Sequence, residues 1–254
     1  MPYPFARIIS PMTVEVCAYS LQSCLTAQAA GAQRIELCGG QAEGGTTPSA
    51  GLIQLARQHL TIPLYVMVRP RGGDFLYTDT EFSVMAADIE TAKTIGADGI
   101  VLGLLRADGT VDEDRTCQLV KLAYPLPVTF HRAFDMTRSP TEALEAVIRT
   151  GAIRILTSGQ QPTAEAGLPV LRELVQQAAG RIEIMAGAGV NSSNVGSLTE
   201  AGVDALHLSG SIRRESLMVY RQAAVSMASF VPGEYERVGA DKETIREVVN
   251  HSKQ

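Results

Sequence analysis

The sequence predicts an α/β protein built as a single (β/α)8 barrel, because strand-like and helix-like segments alternate along the whole chain. Eight strand-like segments lie at 13–17, 34–38, 64–68, 99–103, 127–131, 153–158, 182–185 and 205–209. Eight parallel strands close the common barrel. The length of 254 residues also fits one such domain, which typically takes about 250 residues. We therefore assign residues 1–12 to a short N-terminal arm and residues 13–254 to one TIM-barrel domain.

The segments between the strands carry recognisable helix ends. Helical patterns that start at Ser or Thr run over 20–31, 49–59, 80–96 and 139–151. A Ser or Thr hydroxyl accepts a hydrogen bond from a free N–H at a helix start, and glycine ends a helix by adopting a left-handed conformation. The last part of the chain, residues 212–254, should hold the eighth barrel helix and an extra C-terminal helix near 241–250.

Composition and charge exclude several classes of partner. The net charge of −5 gives no reason to expect a nucleic acid or an anionic membrane surface as a partner. No apolar stretch approaches the roughly 18 residues that a membrane span needs. The first residues lack the cationic-then-apolar order of a secretory signal, so we predict a cytoplasmic protein. Four cysteines are too few for a disulfide scaffold, and we expect reduced thiols.

Polar and apolar residues alternate in several of the predicted strands. Glu15 shares one strand face with Cys17, and Arg34 shares one with Glu36. The outer face of a barrel strand packs against helices and must be apolar, so these polar sets should point into the barrel. The predicted interior holds Glu15, Glu36, Glu183, Arg34, Arg69 and Arg154. Such a network either only fixes the strand register or forms a polar floor beneath a ligand site, and the polar strand ends favour the floor.

Two cysteines end the first two strands at matching positions. Cys17 lies in E-V-C and Cys38 lies in E-L-C. Adjacent strands are about 4.8 Å apart, so the two sulfurs can approach each other closely. A pair of thiolates suits a soft ion such as Cu(I). The alternative is that both are small buried hydrophobic residues.

Other candidate residues end the later strands. His131, which follows the fifth strand, is a possible acid, base or ligand, and His207 lies deeper in the eighth strand. Arg69 and Arg71 follow the third strand and offer two guanidinium groups for an anion. Three turns rich in small residues can bring backbone N–H groups close to a phosphate, and their key residues are Ser158, Gly187, Gly189, Ser209 and Gly210.

At these residues the sequence resembles the CutC family of copper homeostasis proteins. The matching motifs are EVCAYS (15–20), RIELCGG (34–40), EGGTTPS (43–49), RPRGGDF (69–75), PVTFHRAFDM (127–136), LTSGQ (156–160) and MAGAGV (185–190). The resemblance implies a cytoplasmic (β/α)8 barrel that forms a homodimer or a higher homo-oligomer and takes part in copper handling. It also implies Cu(I) as the bound ion and Cys17 and Cys38 as its ligands.

Two functions therefore compete. The first is copper(I) binding at the mouth of the barrel through Cys17 and Cys38. The alternative is an enzyme that acts on a small anionic or phosphorylated metabolite. In that enzyme the turns around Gly187, Gly189, Ser209 and Gly210 would hold the anion, and proton transfer would fall to His131 with Glu36 or Asp135.

Overall fold

The computed structural model describes residues 12–222, 224–225, 227 and 233–253. Eight parallel strands follow one another around a closed barrel, and the last strand pairs with the first. The strands are β1 (Thr13–Ala18), β2 (Arg34–Leu37), β3 (Leu64–Met67), β4 (Gly99–Leu102), β5 (Val128–Phe130), β6 (Arg154–Thr157), β7 (Glu183–Ala186) and β8 (Ala205–Leu208). The predicted fold class and all eight predicted strands are confirmed.

Each barrel strand is followed by one helix. The helices are α1 (Leu21–Ala29), α2 (Ala50–His59), α3 (Asp79–Ile95), α4 (Glu113–Ala123), α5 (Pro140–Thr150), α6 (Leu168–Ala178), α7 (Val195–Glu200) and α8 (Lys242–His251). The expected caps Ser20 and Ser49 are present, since both hydroxyls accept hydrogen bonds from backbone N–H groups. The third helix begins slightly earlier than predicted, at a reciprocal capping box between Thr78 and Glu81. These local signals explain why the helix positions could be predicted.

The region after β8 differs from the prediction. The predicted helix near 241–250 is confirmed as α8, but before it the described residues form an antiparallel strand pair, β9 (Ser211–Glu215) and β10 (Glu236–Ala240), and no separate eighth helix. Because α8 packs against α1, α7 and β1, it takes the place of the eighth barrel helix. All five residues of β9 are exposed, so this segment has no apolar stripe that could hold a helix against the barrel.

Some predictions lie beyond what the structure tests. The N-terminal arm was assigned to residues 1–12, and of these only Met12 belongs to the described part of the chain. Among the described residues, no helix has both the length and the apolar character of a membrane span. The cytoplasmic location and the homo-oligomeric state stay predictions.

The inward polar face is confirmed with one exception. Glu15, Arg34, Glu36, Arg69 and Arg154 are all buried. Glu183 is also paired, with Arg154, but its side chain is 48% exposed. It is the first residue of β7 and therefore lies at the end of the barrel opposite the mouth, where the strand opens to solvent. The outer faces of the strands pack against the helices as an apolar core.

The helix layer provides a matched test of this core. Leu119 of α4 is 1% exposed, and Leu55 of α2 is 46% exposed. We expect Leu119→Ala to lower the free energy of unfolding by about 2–5 kcal/mol, because it leaves a cavity in the core. Leu55→Ala should cost about 1 kcal/mol or less. Urea unfolding followed by circular dichroism measures both values, and equal costs would contradict the packing described here.

Candidate metal and ligand site at the barrel mouth

The carboxyl ends of the strands enclose a cavity of about 340 Å³. This volume falls at the lower end of the range for small-molecule sites. The predicted site residues that line the cavity are Cys17, Glu36, Arg69, His131, Gly189, His207, Ser209 and Gly210. The remaining predicted residues, which are Cys38, Arg71, Asp135, Ser158 and Gly187, are not part of its lining.

The two cysteines predicted to approach each other do so. In the register of β1 with β2, Cys17 lies beside Glu36, and Cys38 follows two residues later on the same face. The two Sγ atoms are 3.7 Å apart, and the Cys38 thiol is also 3.5 Å from Glu36 Oε2. Cys38 is fully buried, whereas Cys17 is 8% exposed and reaches the cavity. The pair therefore presents one sulfur to the cavity and keeps the other behind it.

A chain of charged groups lies beneath the thiols. Glu15 is fully buried and accepts hydrogen bonds from Arg34 Nε at 2.5 Å and from His207 Nδ1 at 2.7 Å. The other ring nitrogen of His207 lies 3.7 Å from Glu36 Oε2. Burial would raise the pKa of Glu15, but Arg34 and His207 outweigh it and hold this pKa at about 2. Glu15 is therefore a carboxylate that fixes the orientation of His207.

The same contacts set the charge of the neighbouring groups. A hydrogen bond from Cys38 lowers the pKa of the Cys17 thiol, and His207 lowers it further against the effect of burial. Burial and the negative charge of Cys17 raise the pKa of Glu36, and burial together with Cys17 raises that of Cys38. Burial would lower the pKa of His207, but Glu36, Cys17 and Glu15 raise it above its ordinary value. The favoured state is a Cys17 thiolate beside a charged imidazole.

His131 is buried and lines the opposite side of the cavity. Its Nδ1 accepts a hydrogen bond from the backbone N–H of Ala133 at 3.1 Å, which places the proton on Nε2. Burial and the nearby Arg69 lower the pKa of His131 to about 3, so the ring is neutral at physiological pH. Its Nε2–H has no hydrogen-bond partner among the described residues. His131 is therefore suited to donate a hydrogen bond and poorly suited to accept a proton.

The two predicted arginines have different surroundings. Arg69 is buried and donates to the carbonyl oxygens of Glu43, Gly45 and Gly73, while its Nε lacks a partner in the described chain. It therefore holds the loops after β2 and β3 and still faces the cavity. Arg71 is paired with Asp74 and Glu81, away from the cavity. Its contacts hold the start of α3, so it is not placed to clamp an anion here.

Asp135 and Ser158 hold the loop after β6 in place and do not line the cavity. Asp135 accepts hydrogen bonds from the Thr157 hydroxyl and from the backbone N–H groups of Ser158 and Gln160, and it pairs with Arg132 at 2.8 Å. The Ser158 hydroxyl donates to the backbone oxygen of Gln161 at 2.6 Å. Both residues are occupied in fixing the loop after β6, which leaves Asp135 without access to a ligand in the cavity.

The glycine turns shape the cavity, but no long helix begins at them of the kind that helps to bind a phosphate. A Cβ added at Gly187 would lie 2.5 Å from Leu156, a residue of the cavity wall, so glycine makes room for that wall. Gly189 and Gly210 have positive φ angles of 73° and 48°. After Gly210 the chain enters strand β9, and α7 has only six residues. The positive end of a long helix therefore does not point at these turns.

Several lining residues were not predicted from the sequence. They are Tyr19, Gly44, Met67, Phe75, Leu156, Ala188, Val190 and Leu208. Tyr19 continues the inward alternation of Glu15 and Cys17, so its position could have been found from that pattern. Phe75 packs against His131 with ring centroids 5.1 Å apart and a tilt of 56°, but it lies in a loop where no periodicity indicates its direction.

Comparison with known proteins identifies the family. A model of the CutC family matches residues 12–212, a span that contains every residue lining the cavity. The chain belongs to the CutC family. A CutC family protein of Chromobacterium violaceum is 49% identical over 234 residues, which cover 92% of this chain and 95% of that protein.

Two further CutC relatives extend this result. The mouse protein named copper homeostasis protein cutC homolog is 47% identical over 92% of this chain and 86% of its own. A crystal structure of CutC from Streptococcus agalactiae is 35% identical and has a TM-score of 0.75, covering 78% of this chain and 98% of that one. The barrel seen here is thus the fold of the family.

The buried Glu15 provides a test of the charge network of this CutC protein. Glu15→Gln should lower the free energy of unfolding by about 3–5 kcal/mol at pH 7, because it leaves Arg34 and His207 buried without their carboxylate. The pKa of Glu15 is lowered from 4.5 to about 2, so its contribution is complete above pH 4.5 and is lost as the pH falls toward 2.

The difference between wild type and Glu15→Gln should therefore be constant above about pH 5. It should narrow by roughly 3 kcal/mol in total as the pH falls toward 2. Urea unfolding at a series of pH values measures this difference, with Glu200→Gln, an exposed acid at the end of α7, as the control. A gap that is as wide at pH 3 as at pH 6 would rule out the ionised Glu15 described here.

Proposed function

We propose that this protein binds copper(I) at the mouth of the barrel through Cys17 and Cys38, as part of copper homeostasis. The observation that carries the proposal is the pair of thiols 3.7 Å apart at the edge of the cavity. Soft thiolate ligands select Cu(I) over harder ions. The name of the mouse relative, a copper homeostasis protein, supports the same role.

The distance between the sulfurs suits one shared ion. A bond between a thiolate and a metal of this size is about 2.3 Å long, so two sulfurs up to about 4.6 Å apart can reach the same ion. Cys17, Cys38 and Glu36 place one ligand atom each within 4.8 Å of one another. The Glu36 oxygen is a hard donor and a poor match for Cu(I). The two sulfurs are therefore the ligands, and the ion would face the cavity.

The surrounding charges favour a bound thiolate pair. Binding needs both cysteines deprotonated, and each thiolate adds a negative charge to a buried site. His207 already favours the thiolate form of Cys17, and Glu15 holds His207 in place. Loss of the second proton from Cys38 would be compensated by the single positive charge of Cu(I). Copper binding should therefore release protons and weaken at acidic pH.

A second candidate function is catalysis on a small anionic metabolite. The observation that favours it is the cavity itself, which lies where the active sites of (β/α)8 barrels lie. Arg69 and Arg132 give it positive charge. With Asp135 turned away and His131 neutral, the groups available for proton transfer are Cys17, Glu36 and His207.

A titration of Cu(I) against competing chelators tests the copper proposal. We expect Cys17→Ser and Cys38→Ser each to weaken Cu(I) binding by more than about 100-fold, which exceeds the effect of removing an outer-shell partner. The matched control is Cys117→Ser, because Cys117 is a free thiol in α4 outside the cavity. Affinities of both site variants equal to that of the control would reject the proposal.

A further inference from the structure

Three buried polar atoms of the cavity lining lack a partner in the described part of the chain. They are His131 Nε2, Arg69 Nε and Glu36 Oε1. Each belongs to a side chain that is at least 94% buried. Leaving a buried polar atom unpaired costs about 1–3 kcal/mol, and more for a charged group, so three around one cavity indicate a polar occupant. Copper(I) cannot satisfy them, because it prefers soft sulfur ligands.

Two of these atoms are hydrogen-bond donors. The His131 ring carries its proton on Nε2, and Arg69 directs three of its four terminal N–H groups at backbone carbonyls while its Nε–H has no partner in the described chain. The Arg69 guanidinium also lies over the Phe75 ring, on which His131 stacks. The two donors therefore sit on the same side of the cavity. A carboxylate, with two acceptor oxygens, satisfies both.

The third atom is on the opposite side, next to the thiols. Glu36 Oε2 faces Cys38 and His207, so Oε1 is the oxygen left for a ligand. A hydroxyl group both donates and accepts a hydrogen bond, and it pairs with Glu36 in either protonation state. An ammonium group can only donate, so it cannot accept a hydrogen bond from the protonated carboxyl group. The hydroxyl is therefore the better match for this position.

The rest of the cavity wall is largely apolar. Met67, Phe75, Leu156, Val190 and Leu208 line it. A cavity of about 340 Å³ is larger than a hydroxyl and a carboxylate require, so the occupant also carries an apolar body. The apolar surface removed from water would supply much of the binding free energy.

We propose that the cavity binds a small hydroxycarboxylic acid with an apolar body, whose carboxylate faces His131 and Arg69 and whose hydroxyl faces Glu36. This names a substrate class for the second candidate function and rests on the same cavity. It does not depend on copper. The sequence-based expectation of a phosphate on the glycine turns, on the other side of the cavity, is the competing prediction.

Isothermal titration calorimetry on the full chain tests this, with the protein kept metal-free by a copper(I) chelator. The probe is 3-phenyllactate, which combines a carboxylate, a hydroxyl and an aromatic body. Two matched compounds each lack one polar group: 3-phenylpropionate has no hydroxyl, and 2-phenylethanol has no carboxylate. We expect 3-phenyllactate to bind at least about ten-fold more tightly than either one. Equal affinities for all three, or no binding of any, would overturn the proposal.

Variants separate this site from the copper site. His131→Phe keeps a ring but removes the donor, and it should weaken 3-phenyllactate by at least about ten-fold. His131→Gln supplies an amide donor and should recover part of the affinity. Both variants should keep wild-type Cu(I) affinity, because His131 does not contact the thiols. Inorganic phosphate is the competing probe: phosphate binding that displaces 3-phenyllactate from wild type and is unaffected by His131→Phe would reject the carboxylate position.

Failure of each proposal gives a different result. Wild-type Cu(I) affinity with no binding of 3-phenyllactate would overturn the hydroxy acid and leave the copper proposal standing. Binding of 3-phenyllactate without any effect of Cys17→Ser or Cys38→Ser on Cu(I) affinity would support the hydroxy acid and reject the copper proposal. The calorimetry measures binding alone. A finding that the protein does not turn over the ligand would therefore count against the proposed catalytic function and not against the proposed ligand class.

Discussion

Glu15 is a carboxylate at the centre of the barrel, with no exposure to solvent, and two strands supply its partners. Arg34 comes from β2 and His207 comes from β8, the strand that closes the barrel against β1. A buried charge is tolerated only when its partners are in place, so this contact ties strand closure to site assembly. The register of β1 with β2 brings Glu15 beside Arg34 and Cys17 beside Glu36, and the register of β1 with β8 brings Glu15 beside His207. The site depends on the closure of the barrel.

The network also explains why the barrel interior departs from an ordinary one. A barrel filled by branched aliphatic residues is stabilised without any charge to neutralise. Here Arg34 and Arg154 both lie over the Tyr65 ring, and Arg154 is further held by Glu183. Replacing such pairs by apolar residues is often neutral or stabilising. The charged network beneath the cavity is therefore better explained by its role in orienting His207 than by a gain in stability.

Much of the fold could be predicted because its signals are local. The alternation of polar and apolar residues in a strand, and the residues that cap a helix, are each contained in a short stretch of sequence. Glycine residues at helix ends mark the return of the chain to the sheet. The strand pair β9 and β10 could not be predicted in the same way, since β9 is exposed, β10 is only partly buried, and the two strands are about twenty residues apart. Glu183 has the correct parity but lies at the open end of β7.

The site was only partly predictable for a different reason. A sequence motif shows which polar residues occur together, but it does not show which of them use their hydrogen bonds locally. Arg71 and Asp135 belong to dense motifs, yet both are occupied by neighbours outside the cavity. From the sequence, His131 looks like an acid, a base or a ligand. In the structure a hydrogen bond from the backbone fixes its tautomer. Only three-dimensional contacts distinguish a ligand-facing donor from a structural one.

Glu36 is the residue that both proposed occupants share. One of its oxygens faces Cys38 and His207, and the other is buried without a partner among the described residues. Copper binding would remove the Cys38 proton that faces Glu36 Oε2, and a hydroxyl on Oε1 would change the hydrogen bonding of the same carboxyl group. Each occupant therefore alters the affinity for the other, and thermodynamic linkage makes the factor the same in both directions. The two proposals thus describe adjacent halves of one electrostatically coupled cavity.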